Sequence, residues 1–450
     1  MRSTFLLLFV LMTSYGNSQT NPIITQWLRN TTGITGRHYV SGNSTPITDA
    51  VAANVQTVQY STNWVYVTTN CIPAYITGPF LDGNPSLATS QNGAIFKFPL
   101  NPTQNTGTPT ATTGGNIGLF KNGVALFDYR DGVSWKNSTQ TLCGGPIQPA
   151  CTGDGVWNRD AVLAEKGGFD CSKAHPAMGN YHHHQNPSAF NLDLVVISTV
   201  CSTYPSDGLY VINPAEHSPL IGFAYDGFPI YGAYGYANTD GTGGIVRMKS
   251  SYQLRNITTR TVYANGTDVT DGPAVSTTYP LGYFREDYEY IAHPSDPSYL
   301  DEHNGRFCVT PEYPSGIYCY FATVDANHNS AYPYVVGPTF YGNKTAVKVT
   351  TISESTTQYT LANADYNLSK LNIKIYPNPA QDFIAIQSDM IEDNLDVSLI
   401  DELGKVIRTN KILQGSTLAI IDLTNVTNGV YFIKIAGKKD DKTFKIIVNK

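Results

Sequence analysis

Charged side chains are scarce in this chain of 450 residues, because Asp, Glu, Lys and Arg together make up only 14% of it. An average globular protein holds roughly 25%. The basic residues form no dense cluster and the formal net charge is −6, so we expect no nucleic-acid partner. After the N-terminal segment no stretch of about 18 apolar residues follows, so we also expect no transmembrane segment.

Several common catalytic signatures are missing as well. The sequence contains no Walker loop, no G-x-S-x-G elbow, no H-E-x-x-H helix and no paired C-x-x-C. Each of these motifs places a nucleophile, a phosphate-binding loop or metal ligands in a recognisable local structure. Their absence removes nucleotide hydrolysis, the common α/β-hydrolase reaction and the common zinc proteases as leading interpretations.

The residues that replace the charged ones indicate the fold class. The chain has 41% hydrophobic residues, 30 Tyr, 39 Gly and 26 Pro. Tyrosine and β-branched residues favour pleated surfaces, and glycine and proline favour turns. We therefore predict a mainly β protein, with a large β-rich domain followed by a small C-terminal β-sandwich. One short run, residues 158–166, has a helix-like pattern.

Local composition divides the chain into four parts. Residues 1–19 are typical of a secretory signal peptide, because Arg2 precedes an apolar run and small and polar residues follow it. All histidines and cysteines lie before residue 330, which assigns residues 20–342 to the large domain. Residues 343–370 are polar and are interpreted as a strand end followed by a linker. Residues 371–450 alternate like strands and form the small domain.

The seven cysteines belong to a chain that we expect to reach an oxidising compartment, where disulfides persist. Cys143 and Cys151, and likewise Cys308 and Cys319, are close enough in sequence to form local disulfides. Because seven is odd, at least one cysteine stays free or pairs elsewhere, and the connectivity is left open.

The C-terminal part carries four short motifs: "YPNP" at 376–379, "DELGKVI" at 401–407, "NGVYFIKI" at 428–435 and the terminal "KIIVNK". With them the tail resembles the C-terminal sorting domain of the type IX secretion system. The resemblance implies handling by the type IX secretion machinery and a secreted or outer cell-surface location. A carbohydrate-binding or adhesive β-module is the alternative for the same pattern.

Three consecutive histidines occur in "GNYHHHQNP", residues 179–187. Side chains alternate along a strand, so His182 and His184 would share one face, whereas in a helix they would point apart. Two imidazoles make an incomplete metal site, since catalytic zinc usually has three protein ligands. His175 and His217 are candidates for further ligands, and zinc or copper is the expected metal.

The histidine run, the stretch "IGFAYDGFPIYGAYGY" at 221–236 and the segment 299–342 resemble the secreted bacterial YHYH proteins. That family takes its name from Tyr-His-Tyr-His, and His183 stands here where the second tyrosine is expected. The resemblance implies that Tyr181, His182, His184, Asp226 and the loop at Asp301 gather at one site, but it implies no reaction. We expect Asp226 and Asp301 as catalytic candidates. His183, facing away, is expected at the surface or beside the ligands.

The acidic segment 286–302 has two interpretations. Its carboxylates could hold calcium or supply a general base. We favour a charged loop, in which Arg306 pairs with Asp301 and fixes the turn at residues 304–305.

Two functions remain for the whole chain. The first is a secreted metal-dependent protein with zinc or copper, such as a hydrolase in which Asp226 is a ligand, a ligand support or a general base. The second is a non-catalytic extracellular binding or structural module. In that case the histidines and tyrosines would form a polar network or bind an extracellular ligand such as a glycan.

Overall fold

A computed structural model of the chain describes residues 21–82, 91–145, 147–188, 199–206, 208, 210–360, 371–389, 391, 394–437 and 440–450. The predicted signal peptide lies outside these residues. The described helices are α1 (Pro22–Thr25) and α2 (Ala161–Glu165). Neither of them is long enough to cross a membrane.

Strands dominate both parts of the chain, which confirms the predicted mainly β fold. The strands before residue 360 are β1 (Thr35–Val40), β2 (Asn43–Ala52), β3 (Val55–Tyr60), β4 (Trp64–Thr69), β5 (Ile76–Thr77), β6 (Ala94–Pro99), β7 (Asn116–Phe120), β8 (Ala125–Phe127), β9 (Arg130–Lys136), β10 (Thr141–Gly144), β11 (Asn158–Asp160), β12 (Ala174–Ala177), β13 (Asn180–His183), β14 (Leu220–Ala224), β15 (Pro229–Tyr231), β16 (Tyr234–Tyr236), β17 (Ile245–Arg247), β18 (Tyr252–Leu254), β19 (Tyr288–Tyr290), β20 (Gly305–Cys308), β21 (Ile317–Phe321), β22 (Val347–Val349) and β23 (Thr357–Gln358). The strands of the tail are β24 (Ile373–Tyr376), β25 (Phe383–Ser388), β26 (Leu395–Asp401), β27 (Val406–Ile412), β28 (Leu418–Asp422), β29 (Gly429–Ala436) and β30 (Asp441–Val448).

The large region is organised around an eight-stranded mixed sheet with the order β12-β13-β8-β7-β14-β15-β21-β20. Every residue of β14 is buried, which is the pattern of a strand that is covered on both faces. A second sheet has the order β22-β6-β4-β3-β23. The Trp27 ring, which follows α1, packs on Phe98 of this sheet and on Phe223 of the first, with ring centroids 5.6 and 5.1 Å apart. The core therefore connects the two sheets.

The segment predicted as a linker is partly built into the large region. β22 pairs with β6 and β23 pairs with β3, so both edges of the five-stranded sheet come from residues between 343 and 360. The strand end expected in this segment is thus observed, and its polar composition fits edge strands, which expose one side to water. Residues 361–370 lie outside the described part of the chain, and the remaining domain boundaries stay a prediction.

The tail forms the predicted small sandwich from two sheets, β24-β25-β28 and β27-β26-β29-β30. Along β29 the inward side chains alternate as the sequence predicts, with Tyr431, Ile433 and Ile435 buried. These side chains join a core of their own with residues such as Ile384 and Leu399. An independent apolar core is what allows a domain of this size to fold.

Two disulfides are present among the described residues, Cys143–Cys151 and Cys171–Cys201. The first is the expected local bond, and the second was not proposed from spacing. Cys71, Cys308 and Cys319 are buried thiols. The expected local bond between Cys308 and Cys319 is therefore not formed in this structure, since the two residues occupy diagonal rather than opposite positions across β20 and β21.

Candidate metal centre

A short hairpin brings the first two histidines together. β12 and β13 are antiparallel, and His175 lies directly opposite His182. Directly opposite residues of an antiparallel pair project to the same face, and the two ring centroids are 4.8 Å apart. The connecting turn places Met178 and Gly179 at positive φ, which is the geometry of the tight turns that suit the twist of a hairpin.

His184 completes the histidine group, because it follows β13 and its side chain returns to the side of His182. The Nε2 atoms of His182 and His184 are 3.0 Å apart. The alternation predicted for the H-x-H sequence is thus observed at this position.

The fourth member is Glu165, the last residue of α2. Its Oε2 lies 3.0 Å from Nε2 of His175 and 3.1 Å from Nε2 of His184. Ligand atoms of all four side chains lie within 4.8 Å of one another. Asp160 fixes the start of α2, since its carboxylate accepts hydrogen bonds from the backbone amides of Val162 and Leu163. The cap at Asp160 therefore fixes the first turn of the short helix that carries Glu165 at its other end.

Each histidine also has a partner for its other ring nitrogen. Nδ1 of His182 donates to the carbonyl of Asn180 at 2.9 Å, and Nδ1 of His184 donates to the carbonyl of Asp128 at 2.7 Å. A carbonyl oxygen only accepts, so these bonds place a proton on Nδ1, and in the neutral form of each ring Nε2 then carries a lone pair. Two lone pairs 3.0 Å apart repel each other unless a cation or a proton lies between them.

His175 differs because its partner is charged. Its Nδ1 lies 2.7 Å from Oδ2 of Asp82. A carboxylate behind a histidine orients the ring and increases its basicity, as is common for metal-binding histidines. Asp82 and Glu165 were both missed from the sequence. Glu165 precedes His175 by only ten residues, and its place at the end of the single helix-like run was an available signal. No local pattern indicates Asp82.

Burial and neighbouring charges shift the pKa values of Glu165, His175 and His182. Burial raises the pKa of Glu165, but hydrogen bonds and charges from His175 and His184 outweigh it and hold that pKa well below its usual range. Burial lowers the pKa of His175, but Asp82 and Glu165 outweigh it and raise that pKa to about 9. Burial and the neighbouring imidazoles hold the pKa of His182 well below its usual value. The surroundings therefore favour the charged forms of Glu165 and His175 and the neutral form of His182.

Aromatic rings separate the group from water. Phe127 stacks on His182 with centroids 3.9 Å apart, and Phe169 meets His175 edge-on at 5.1 Å. The three histidines are 6%, 1% and 4% exposed in chain order, whereas the Glu165 side chain is 18% exposed. Glu165 is thus the most accessible of the four.

His217, which was a candidate ligand, lies elsewhere. Its Nδ1 donates to the carbonyl of Ser218 at 2.7 Å, and its ring packs against Tyr231 and Tyr236. It is not a member of the described group of potential ligands. The residues that the structure brings together are His175, His182 and His184.

The two catalytic candidates are also remote from the histidines in the sheet. Asp226 follows β14, three strands from β13, and accepts hydrogen bonds from the Tyr320 hydroxyl at 2.5 Å and the Gly342 amide at 2.8 Å. Asp301 precedes β20 at the opposite edge and accepts from the Tyr318 hydroxyl at 2.8 Å. Their side chains support neighbouring tyrosines, and a catalytic role for either remains a prediction.

Two expectations about neighbouring residues are wrong. His183 is neither at the surface nor beside the ligands: it is fully buried on the other face of β13, and its Nε2 lies 2.6 Å from the Tyr75 hydroxyl. Arg306 does not pair with Asp301. Its guanidinium donates to backbone carbonyls instead, among them that of Ala237. Both outcomes reflect long-range packing, since Tyr75 and Ala237 are far away in sequence.

The large region has the sequence pattern of a known protein family. The sequence model of the family described as YHYH protein matches residues 95–333, more than half of the chain. The chain belongs to the YHYH protein family. The matched range contains all four members of the candidate centre and confirms the resemblance drawn from the motifs. In this YHYH protein the signature itself is Tyr181-His182-His183-His184.

The model of the secretion system C-terminal sorting domain matches residues 374–449. This confirms the type IX sorting tail, and with it a secreted or outer-surface location. No curated protein matches the sequence. Among solved structures, the chain is similar at 11% identity and a TM-score of 0.18 to a protein studied as PorZ, an essential bacterial surface component of the type IX secretion system of Porphyromonas gingivalis. The match covers 90% of this chain and 61% of that protein, so the chain spans under two thirds of its length.

Proposed function

We propose that this YHYH protein is an exported metal-binding protein that holds one zinc or copper ion between His175, His182, His184 and Glu165. The observation that supports the proposal is the convergence of three Nε2 atoms and one carboxylate oxygen. Each imidazole has its Nδ1 occupied by an acceptor, so Nε2 is the nitrogen that would bind an ion, and His175 would release its Nε2 proton when it does so.

The donors would have to move to surround a small divalent ion evenly. Ligand atoms about 2.1 Å from a tetrahedral zinc ion lie about 3.4 Å apart. Three of the six separations, at 3.0, 3.0 and 3.1 Å, are shorter than this by a few tenths of an ångström, and all six are within 4.8 Å. Imidazole and carboxylate together suit zinc and also copper, so the donor set does not choose between these metals.

A more specific version of this proposal is a metal-dependent hydrolase. In that case Glu165 could not remain a permanent metal ligand. Bound zinc supplies an activated water at neutral pH, but it needs a coordination position that no protein atom fills. Three imidazoles and Glu165 already provide four donors. Hydrolysis would therefore require the Glu165 carboxylate to swing away from the three imidazoles, where it could accept a proton from a substrate or water.

A non-catalytic extracellular module is the second candidate, and the same four donors favour it. Four protein ligands in a buried setting are typical of a structural zinc site. In this case the ion would fasten the β12–β13 hairpin to α2 and stabilise the folded chain. An extracellular ligand such as a glycan stays a prediction for either candidate.

The metal proposal is tested on the full chain without an affinity tag. Purified protein is dialysed and loaded with zinc or copper, and unbound ions are removed. The metal content of the protein is then measured by mass spectrometry. We expect about one equivalent, and loss of that equivalent when His182 and His184 are both changed to Ala. His217→Ala is the matched control and should keep the metal. Binding that is equal in all three proteins would refute the proposed centre.

The two candidates are separated by one variant. Glu165→Ala leaves three imidazoles and opens a coordination position. If the ion is structural, the variant should unfold at a lower temperature when loaded with zinc than the wild-type protein does. If the chain is a hydrolase, Glu165→Ala should also lose turnover of model esters that the wild-type protein cleaves. Wild-type protein that binds zinc but cleaves none of a panel of esters and polysaccharides would favour the structural candidate.

A further inference from the structure

Two thiols at the far edge of the eight-stranded sheet lie on one face of neighbouring strands. β20 and β21 pair with Arg306 opposite Cys319 and with Cys308 opposite Ile317. Side chains two residues apart on a strand share a face, so Arg306, Cys308 and Cys319 all project to the same side. Cys308 and Cys319 are both fully buried.

The two thiols differ in their surroundings. The Cys319 sulfur lies 3.5 Å from the carbonyl oxygen of Ile317. A hydrogen bond from Cys319 and the charge of Arg306, opposed by burial, lower the pKa of Cys308 to about 7. Burial and Cys308 itself raise the pKa of Cys319 well above its usual value. One nucleophilic and one poorly ionised sulfur is the asymmetry found in dithiols that exchange with disulfides.

The route of the protein makes oxidation relevant. An exported chain passes through compartments in which disulfides form and persist, and Cys143–Cys151 and Cys171–Cys201 are already paired. Cys308 and Cys319 are the two thiols of the described chain that lie side by side. Cys71 lies in a different part of the fold, just after β4.

We propose that Cys308 and Cys319 are a reversible dithiol–disulfide pair that connects β20 to β21 when the exported protein meets a disulfide oxidant. The pair is independent of the proposed metal centre, which lies at the opposite edge of the same sheet.

The geometry gives a reason for the bond to be reversible. Diagonal neighbours on antiparallel strands are roughly 7–8 Å apart between Cα atoms, which is beyond the usual range for a disulfide. Closing the bond must therefore draw the end of β20 towards β21. Cys308 is the last residue of an edge strand, where such a shift disturbs few backbone hydrogen bonds. A disulfide under tension is reduced more easily than a relaxed one.

The chemistry balances with a small disulfide such as oxidised glutathione as the oxidant. Because Cys308 is fully buried, the end of β20 must first open. The Cys308 thiolate then attacks one glutathione sulfur, a bond forms between these sulfurs, and one glutathione thiolate leaves. The Cys319 thiol then gives up its proton and attacks the Cys308 sulfur, which releases the second glutathione. Two protein thiols are oxidised and one glutathione disulfide is reduced to two thiols.

The test uses the full chain in oxidised or reduced glutathione, once as folded protein and once during refolding from denaturant. Samples are quenched in acid, alkylated under denaturing conditions and digested with trypsin. The tryptic peptide 307–344 contains both cysteines and no others, because no Lys or Arg separates them. Its mass and alkylation therefore report on this pair alone.

We expect the peptide from oxidised samples to lack alkyl groups and to be lighter by two hydrogen atoms, and to return to the doubly alkylated form in reduced glutathione. Cys319→Ser should accumulate one glutathione on Cys308, and Cys71→Ser should behave like the wild-type protein. Intact Cys143–Cys151 serves as the internal control for oxidation. A doubly alkylated peptide in both the folded and the refolded oxidised samples would overturn the proposal.

Discussion

His175 lies directly opposite His182 in the β12–β13 hairpin, and a carboxylate from outside the hairpin approaches on each side of the His175 ring. Asp82 contacts Nδ1 and Glu165 contacts Nε2, at 2.7 and 3.0 Å. The ring is thereby held in one orientation, and its Nε2 is directed at the other donors. Asp82 acts through His175, so it is a positioning residue rather than a ligand.

Asp82→Asn should weaken metal binding without removing it. The amide keeps the shape of the side chain but loses the charge that makes His175 basic, and loss of such a partner typically costs roughly 10–100-fold in metal affinity. Competition with a chromophoric chelator measures the change. Asp240→Asn, at an exposed position of the same protein, is the control. Equal affinities for Asp82→Asn and wild type would show that Asp82 does not position His175.

Asp226→Asn should change the pH dependence of stability and leave metal content unchanged. Burial, opposed by hydrogen bonds from Tyr320 and nearby amides, raises the pKa of Asp226 to about 6, against about 3.9 in an unfolded chain. The folded protein thus binds the proton more tightly, and stability is lost as pH rises from about 4 through 6.

The Asp226→Asn protein lacks this titration. Relative to the variant, the wild-type protein should lose at most about 3 kcal/mol of unfolding free energy over that pH range. Chemical denaturation at several pH values measures the difference. A difference between the two proteins that stays constant from pH 4 to 7 would contradict the assignment.

Tyr75→Phe should destabilise the large domain and leave the metal centre intact. The Tyr75 hydroxyl lies 2.6 Å from Nε2 of His183, which is fully buried. Removing it leaves a buried nitrogen without that partner, at a cost of about 1–3 kcal/mol. Thermal unfolding and metal analysis check the two halves of the prediction. Tyr290→Phe, where the ring is half-exposed, should change stability much less.

Ile433→Ala should damage the sorting domain alone. Ile433 is fully buried in the core of the tail, and such truncations cost about 2–5 kcal/mol. We expect less protein to be exported, because a sorting domain must fold to be recognised, while purified protein keeps its metal. Lys434→Ala, one residue along β29 on the outer side, is the matched control. Equal export of the two variants would argue against this expectation.

Local features of this structure could be predicted from the sequence. Alternation in "NYHHH" correctly placed His182 and His184 together, because the period of a strand is a property of the backbone. The motifs of the tail identified the sorting domain for a similar reason, since its strands and turns are contiguous in sequence and each can be recognised separately. The same reasoning gave the mainly β fold.

The resemblance to a family led to an expectation about the site that the residues alone did not support. It implied one site that contains His182, Asp226 and Asp301, whereas the strand order places these residues in different parts of the eight-stranded sheet. A family motif can include residues that hold the core, and in this chain Asp226 is buried and accepts a hydrogen bond from Tyr320. A shared motif therefore does not show that its residues meet.

By itself, the sequence determined which side chains share a strand face and that the chain is exported. Only the tertiary structure decided which carboxylates reach the histidines, because Asp82 and Glu165 arrive from separate segments and the path of a loop or a helix end depends on packing throughout the domain. The tertiary structure likewise decided that His183 is buried against Tyr75. Periodicity fixes the direction of a side chain within its strand, whereas its partner is fixed by the free energy of the whole fold.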